Sequence, residues 1–167
     1  MSLTDALEEM IVEIEALEAR IHQVERELEA LSKQLPVVDL LRTIPGIGLL
    51  TATALVAFVG DVYRFPSGRH LASYLGLTPR ERSSGGVQRL GKMSKRGDVY
   101  LRMMLIHGAR AVLRWAVAKE PKDRLRRWAL ERKRERGHNK AAVALANKMA
   151  RIVWAVWRRG EPYRDAL

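Results

Sequence analysis

The 167-residue sequence contains no cysteine, which excludes disulfide bonds and thiolate metal sites and makes the cytoplasm the default expectation. It has no apolar run near the ~18 residues that a membrane span needs, so we expect no membrane partner. Its first residues also lack the basic and apolar regions of a signal peptide. Hydrophobic residues make up 47% and charged residues 29%, which is typical of a soluble globular protein.

Acidic residues become scarce after residue 35. Residues 1–35 hold 9 acidic and 3 basic side chains, a net charge of −6, whereas residues 36–167 hold the remaining 10 acidic and 27 basic ones, a net charge of +17. This asymmetry predicts an acidic element that stays away from the partner and a basic body that contacts it. Nucleic acid is the expected partner, because each neutralised phosphate releases counterions. An anionic membrane surface fits a folded basic body less well.

Strand-like alternation of useful length is also missing, so the sequence predicts an all-α fold: a long N-terminal coiled-coil helix over residues 1–35 and a compact helical domain over 36–167. The coiled coil follows from an unbroken three–four spacing of apolar residues: Leu7, Met10, Ile14, Leu17, Ile21, Val24, Leu28, Leu31 and Leu35. A narrow seam flanked by Glu favours self-association into a homodimer or higher oligomer over packing on its own domain, which is the alternative. Pro36 is expected to end this helix.

The stretch LRTIPGIGLLTATALVAFVGD places Gly46 and Gly48 between two apolar helices. Glycines there allow a tight turn with positive φ and leave the first amides of the second helix bare, which is a ready anion site. The pattern resembles the helix-hairpin-helix module, whose backbone holds a DNA phosphate without reading sequence. A plain turn between two helices is the alternative.

Capping residues predict three further helices and a short one. Ser67 would cap the short helix GRHLASYLG, Asp98 a long helix to about residue 118, and two more would span 121–137 and 139–159. The helix at 121–137 is rich in arginine and is either a solvated face or a phosphate contact. Trp128, Trp154 and Trp157 fit a core better than base stacking. The four histidines show no ligand spacing, so no metal site is predicted.

The segment GLTPRERSSGGVQRLGKMSKRGD, residues 76–98, joins two serines and two glycines to a set of cations: Arg80, Arg82, Arg89, Lys92, Lys95 and Arg96. A serine attacks a phosphate only when its proton is removed and the developing charge is stabilised, and guanidinium groups supply that stabilisation. Glycines after the serine allow a sugar-phosphate to approach closely. From composition alone, however, a flexible turn explains the same residues better.

The order of these motifs closely resembles that of the insertion-sequence 110/116/902 family of transposases, understood as RNA-guided serine-type recombinases. The resemblance rests on residues 41–61, 64–86 and 89–110, in particular GLTP, the Ser-Gly pair and KRGD heading a helix. It implies that Ser84, directly before the glycine, is the nucleophile, with Ser83 its neighbour. We expect the six cations of this segment, together with Gly46 and Gly48 of the helix-hairpin-helix-like turn, to contact DNA.

The resemblance also implies features outside this chain. Family members carry an N-terminal RuvC-like domain with acidic metal ligands, which this sequence lacks, so the chain is expected to be the C-terminal part of a longer protein. No cofactor is expected in this fragment; Mg²⁺ would bind the missing domain, and a guide RNA would bind the full-length protein. A bacterial cytoplasmic protein associated with the nucleoid, inactive in recombination when isolated, is the expectation.

Two alternatives to a serine recombinase domain stay open at this point. One is a non-catalytic helix-hairpin-helix module that binds the DNA backbone and dimerises through its arm. The other is a structural adaptor whose coiled coil recruits a partner and whose basic body is incidental.

Overall fold

The computed structural model describes residues 2–118, 121 and 123–165. Within them the chain is mostly helical, with one small two-stranded sheet, which is consistent with the all-α prediction. The elements are α1 (Leu3–Ser32), α2 (Pro36–Arg42), α3 (Leu49–Val59), a 3₁₀ turn (Val62–Arg64), α4 (Gly68–Tyr74), β1 (Pro79–Glu81), β2 (Leu90–Met93), α5 (Val99–Ala118), α6 (Arg124–Arg136) and α7 (His138–Arg159). No described helix combines the length and the apolarity that crossing a bilayer requires.

Helix α1 projects from the body with its apolar stripe uncovered. Leu17 and Ile21 in its middle are each 56% exposed, whereas Leu28 and Glu29 near its end are partly buried and Ser32 is buried. The helix ends at Ser32, earlier than predicted, so Leu35 is not on it. Pro36 does not terminate α1; it opens α2 at its first position, where its missing N–H costs nothing.

The core of the body surrounds α7, which packs against α2, α4, α5 and α6. Alanines and larger apolar residues of α7 are fully buried, among them Ala142, Leu145, Ala146, Met149 and Val153. The three tryptophans predicted to be core residues are partly buried and pack against this cluster.

Two predicted helix starts need correction. Helix α6 begins at Arg124 and not at Pro121, because the Asp123 side chain accepts a hydrogen bond from the Arg126 amide at 2.8 Å and caps the first turn. Residue 122, which the predicted helix includes, lies outside the described residues. Ser67 does precede α4, but its hydroxyl pairs with His70 Nδ1 at 2.9 Å and makes no capping bond.

The turn between α2 and α3 is held against α5 by a contact between two glycines. Gly46 has φ +85°, a conformation that favours glycine. A Cβ on Gly46 would lie 2.8 Å from the Gly108 carbonyl oxygen, and a Cβ on Gly108 would overlap the Gly46 carbonyl. The prediction of a positive-φ turn holds for Gly46 only, since Gly48 has φ −91°.

Gly108→Ala is therefore expected to lower the free energy of unfolding by about 1–3 kcal/mol, because the added methyl would push the 43–48 turn off α5. Alanine is intrinsically the better helix former by ~1 kcal/mol, so propensity alone predicts the opposite sign. Urea unfolding followed by circular dichroism measures the difference. A Gly108→Ala protein more stable than the parent would contradict the close packing.

Candidate nucleic-acid interface and serine hairpin

The serine segment is a β-hairpin and not the strand-free loop that the sequence predicted. Strands β1 and β2 pair antiparallel, with Pro79 opposite Met93 and Glu81 opposite Leu90. Beyond them, the Val87 amide donates to the Ser84 carbonyl at 3.1 Å across a two-residue turn. Gly85 and Gly86 have φ +58° and +76°, the combination that type I′ hairpin turns require. The two glycines therefore shape the turn, and Ser84 lies at its first position.

A second close contact between two glycines fixes the base of the hairpin, where the incoming and outgoing chains cross. Gly76 (φ +68°) and Gly97 (φ +140°) face each other so closely that a Cβ on Gly76 would lie 2.6 Å from the Arg96 carbonyl oxygen, and one on Gly97 would overlap the Tyr74 carbonyl. The hairpin therefore leaves and re-enters the body at one point.

A buried guanidinium binds the carbonyl groups at this crossing. Arg102 on α5 is only 7% exposed, and its Nη1 lies 3.3–3.4 Å from the carbonyl oxygens of Leu75, Gly97 and Asp98. Because buried carbonyls without a donor are costly, this one side chain ties the hairpin base to the first turn of α5. Sequence reasoning missed Arg102, since nothing in the pattern distinguishes it from the surface arginines.

Two side chains complete the attachment. The Asp98 carboxylate accepts from the Leu101 amide at 2.7 Å, which confirms it as the cap of α5. From α7, the Asn147 amide group donates to the Leu77 carbonyl at 3.2 Å.

The two serines have different surroundings. Ser83 Oγ donates to Glu81 Oε1 at 2.6 Å and accepts from the Arg89 amide at 3.1 Å, so it links the two strands. No hydrogen bond to a described residue involves Ser84 Oγ, and Ser84 is exposed. The Ser84 hydroxyl at the tip thus makes no hydrogen bond to a described residue, whereas the Ser83 hydroxyl is hydrogen-bonded within the hairpin.

The six predicted cations all lie on this hairpin or at its base and are solvent-exposed: Arg80, Arg82, Arg89, Lys92, Lys95 and Arg96. None of them forms an ion pair with a described carboxylate. Glu81 and Asp98 are the acids of this segment, and both carboxylates are engaged in the bonds described above. The surface around Ser84 is consequently strongly positive.

The two glycines of the α2–α3 turn, Gly46 and Gly48, do not lie on the serine hairpin. Gly48 is exposed at the start of α3, and no atom lies within 4 Å of the position that a Cβ would take there. The amides at this helix start are therefore accessible. The turn touches α5 at Gly108, six residues beyond Arg102 or ~9 Å along the helix, so it is not part of the hairpin. Leu49 and Leu50 share a cavity with charged residues of both signs from α1 and α2: Glu25, Glu29, Arg20, Arg26 and Arg42.

Among the described residues, no group of three or more histidines or carboxylates is placed to hold a metal ion.

The sequence of the body is similar to that of known proteins. The model of the Transposase IS116/IS110/IS902 family matches residues 38–126, which contain the α2–α3 turn, the hairpin and α5. A probable family 20 transposase of Pseudomonas aeruginosa is 46% identical over 160 residues, covering 96% of this chain and 47% of that protein. The transposase for insertion sequence element IS1111A of Coxiella burnetii is 46% identical over 144 residues, covering 86% and 39%.

A pilin gene-inverting protein of Moraxella lacunata is 33% identical over 128 residues, covering 75% of this chain and 38% of that protein. The relatives are thus transposases and a gene-inverting protein, and the chain spans less than half the length of each. The chain belongs to the IS116/IS110/IS902 transposase family, as its motifs predicted.

We expect Gly86→Ala to destabilise the hairpin tip by about 1–2 kcal/mol, because an L-residue is strained at φ +76° while its methyl meets no neighbour. The Val87 and Arg82 amides should then exchange with solvent roughly tenfold faster, and global unfolding should change by less than ~0.5 kcal/mol. Native-state hydrogen exchange measures this. Gln88→Ala, an exposed neighbour, is the control; equal exchange rates in all three proteins would contradict the turn assignment.

Proposed function

We propose that this chain is the serine-bearing part of a DNA transposase that cuts and rejoins DNA through Ser84. The observation that carries the proposal is the placement of Ser84: an exposed hydroxyl that makes no hydrogen bond to a described residue, at the tip of an anchored hairpin whose cations form no ion pair with a described carboxylate. Charge and position thus favour a negatively charged ligand at the serine.

The proposed step conserves the number of phosphodiester bonds. The Ser84 Oγ–phosphorus bond forms, the bond from phosphorus to one sugar oxygen breaks, and the serine proton ends on the released sugar hydroxyl. Guanidinium groups such as those of Arg82 and Arg89 stabilise the charge that develops on the phosphate oxygens. Reversal of the step with a different sugar hydroxyl produces strand exchange.

The remaining parts of the proposal concern the longer protein. Its RuvC-like domain would hold Mg²⁺ and much of a guide RNA, and its site of action would be bacterial DNA in the nucleoid. The chain described here would bind DNA and self-associate, without recombining DNA by itself. The membership of the chain in a transposase family supports DNA as the partner in this proposal.

Ser84→Ala is expected to abolish covalent capture of DNA in the full-length transposase, because alanine has no nucleophile. The measurement incubates that protein with element-end DNA and cognate RNA, then looks for a protease-sensitive protein–DNA adduct on a denaturing gel.

Ser83→Ala is the matched variant, since it removes the bond that the Arg89 amide donates across the hairpin while keeping Ser84, and Glu81→Gln changes only the carboxylate that accepts from Ser83. An adduct that survives Ser84→Ala and is lost with Ser83→Ala would assign the nucleophile to Ser83, whose hydroxyl already donates to a carboxylate. An adduct that persists in both serine variants would move the chemistry elsewhere.

A non-catalytic DNA-binding and dimerisation module is the second candidate. The observation in its favour is the type I′ turn, which by itself explains why Gly85 and Gly86 follow Ser84. The accessible amides at Gly48 would then provide one of the phosphate contacts. Strong salt-dependent DNA binding without any adduct would support this candidate.

The proposal includes self-association through α1. An exposed stripe of large apolar residues over several turns is unusual on a monomer and is the pattern of a coiled-coil seam. Each seam residue that becomes buried contributes about 1.5–3 kcal/mol.

Replacing Ile14 and Ile21 by Glu should convert the oligomer into a monomer, because two charges would then be buried in the seam. Val12→Glu is the control, since Val12 is 65% exposed and lies off the seam. Sedimentation equilibrium gives the mass of each protein. A parent chain that is already monomeric would contradict the assignment.

A further inference from the structure

A long open groove runs beside the hairpin and is not used by the serine step. It lies between the hairpin strands, the start of α4 and helices α6 and α7, and its volume is about 1170 Å³. Pro79, Gly91 and Met93 of the hairpin form one edge, so the groove is continuous with the element that carries Ser84.

The charges that line this groove are all positive: Arg69, Arg136, Lys140, Lys148 and Arg151. Its lining contains no aspartate or glutamate, and no ion pair with a described carboxylate involves any of the five. Five cations around one concave surface, with no acidic residue in its lining, raise the local concentration of anions.

Helix α7 explains why the groove stays free of acids. Its 22 residues include no Asp or Glu. One face is buried in the core, and the opposite face supplies Lys140, Lys148 and Arg151 to the groove. Two small residues of the same helix, Ala144 and Ala155, also line the groove, and they leave room for a bulky ligand to approach.

The walls of the groove are held in place by their own contacts. Trp154 Nε1 donates to the Phe65 carbonyl at 2.9 Å, and Lys148 Nζ lies 4.3 Å from the centroid of the Trp128 ring. Burial, followed by the charges of Arg124 and Arg151, lowers the pKa of Lys148, and Asp165 opposes this in part. A bound anion would relieve the repulsion among these cations.

We infer that this groove binds the phosphodiester backbone of DNA and leads it to the hairpin. The inference rests on the proposed function, because it assigns a partner surface beside Ser84. Lys140 and Arg151 are eleven residues apart, or ~17 Å along α7. Along the axis of a DNA duplex, that distance corresponds to about five nucleotides of one strand at a rise of ~3.4 Å each. A chain of phosphates is thus a better occupant than a single small anion.

The test measures binding of the 167-residue chain to a short DNA duplex, a DNA single strand and an RNA of the same sequence, by fluorescence anisotropy at several salt concentrations. The groove variant replaces Lys140 and Arg151 by Gln; both side chains are exposed. The control replaces Arg110 and Arg114 by Gln, which are exposed on α5 and line a different cavity. Both variants lose two positive charges, so net charge is matched.

The groove variant should bind DNA at least ~10-fold more weakly near 0.1 M salt, and its plot of log affinity against log salt should be shallower by about 1.8. The control should change less than ~3-fold, and a charge-conserving variant, Lys140→Arg with Arg151→Lys, should keep most of the affinity. Equal losses in groove variant and control would overturn the inference, as would a loss confined to RNA. Binding needs no chemistry, so failure of the Ser84 adduct would leave this result unaffected.

Discussion

The position of the serine depends on one crossing of the backbone. Gly76 and Gly97 let the incoming and outgoing chains of the hairpin touch where any side chain would separate them. Such contact buries carbonyl groups, and the Arg102 guanidinium binds three of them. A charged side chain is expensive to bury, so its retention here indicates how much the crossing needs a donor. Without it the hairpin would be attached by flexible chain ends, and Ser84 would have no fixed place above α5.

Charge is distributed unevenly between the N-terminal arm α1 and the helical body. The arm carries most of its charge as carboxylates, whereas the hairpin and α7 present cations that form no ion pair with a described carboxylate. In the folded chain this separation leaves the positive surface free for an external polyanion. The arm remains acidic and exposed, away from the surface on which DNA is proposed to lie.

Local patterns in the sequence predicted the helices well, because caps such as Asp98 and the apolar spacing of α7 act over a few residues. The family could be recognised for the same reason. The hairpin was missed because its strands are too short for alternation to be visible, and because glycines that shape a type I′ turn look like those of any loop. Arg102 and the groove could not be predicted, since their role arises only when α4, α5, α6 and α7 come together.

The length of the exposed helix α1 sets a distance within the molecule. Thirty residues of helix extend ~45 Å, and the buried residue of this helix, Ser32, lies at its C-terminal end. Whatever pairs with the far end is therefore held at a fixed distance from the hairpin tip. Removing one heptad would shorten that distance by ~10 Å and leave the seam, the core and the hairpin unchanged. The length of the arm thus sets a spacing that evolution can adjust separately from the chemistry.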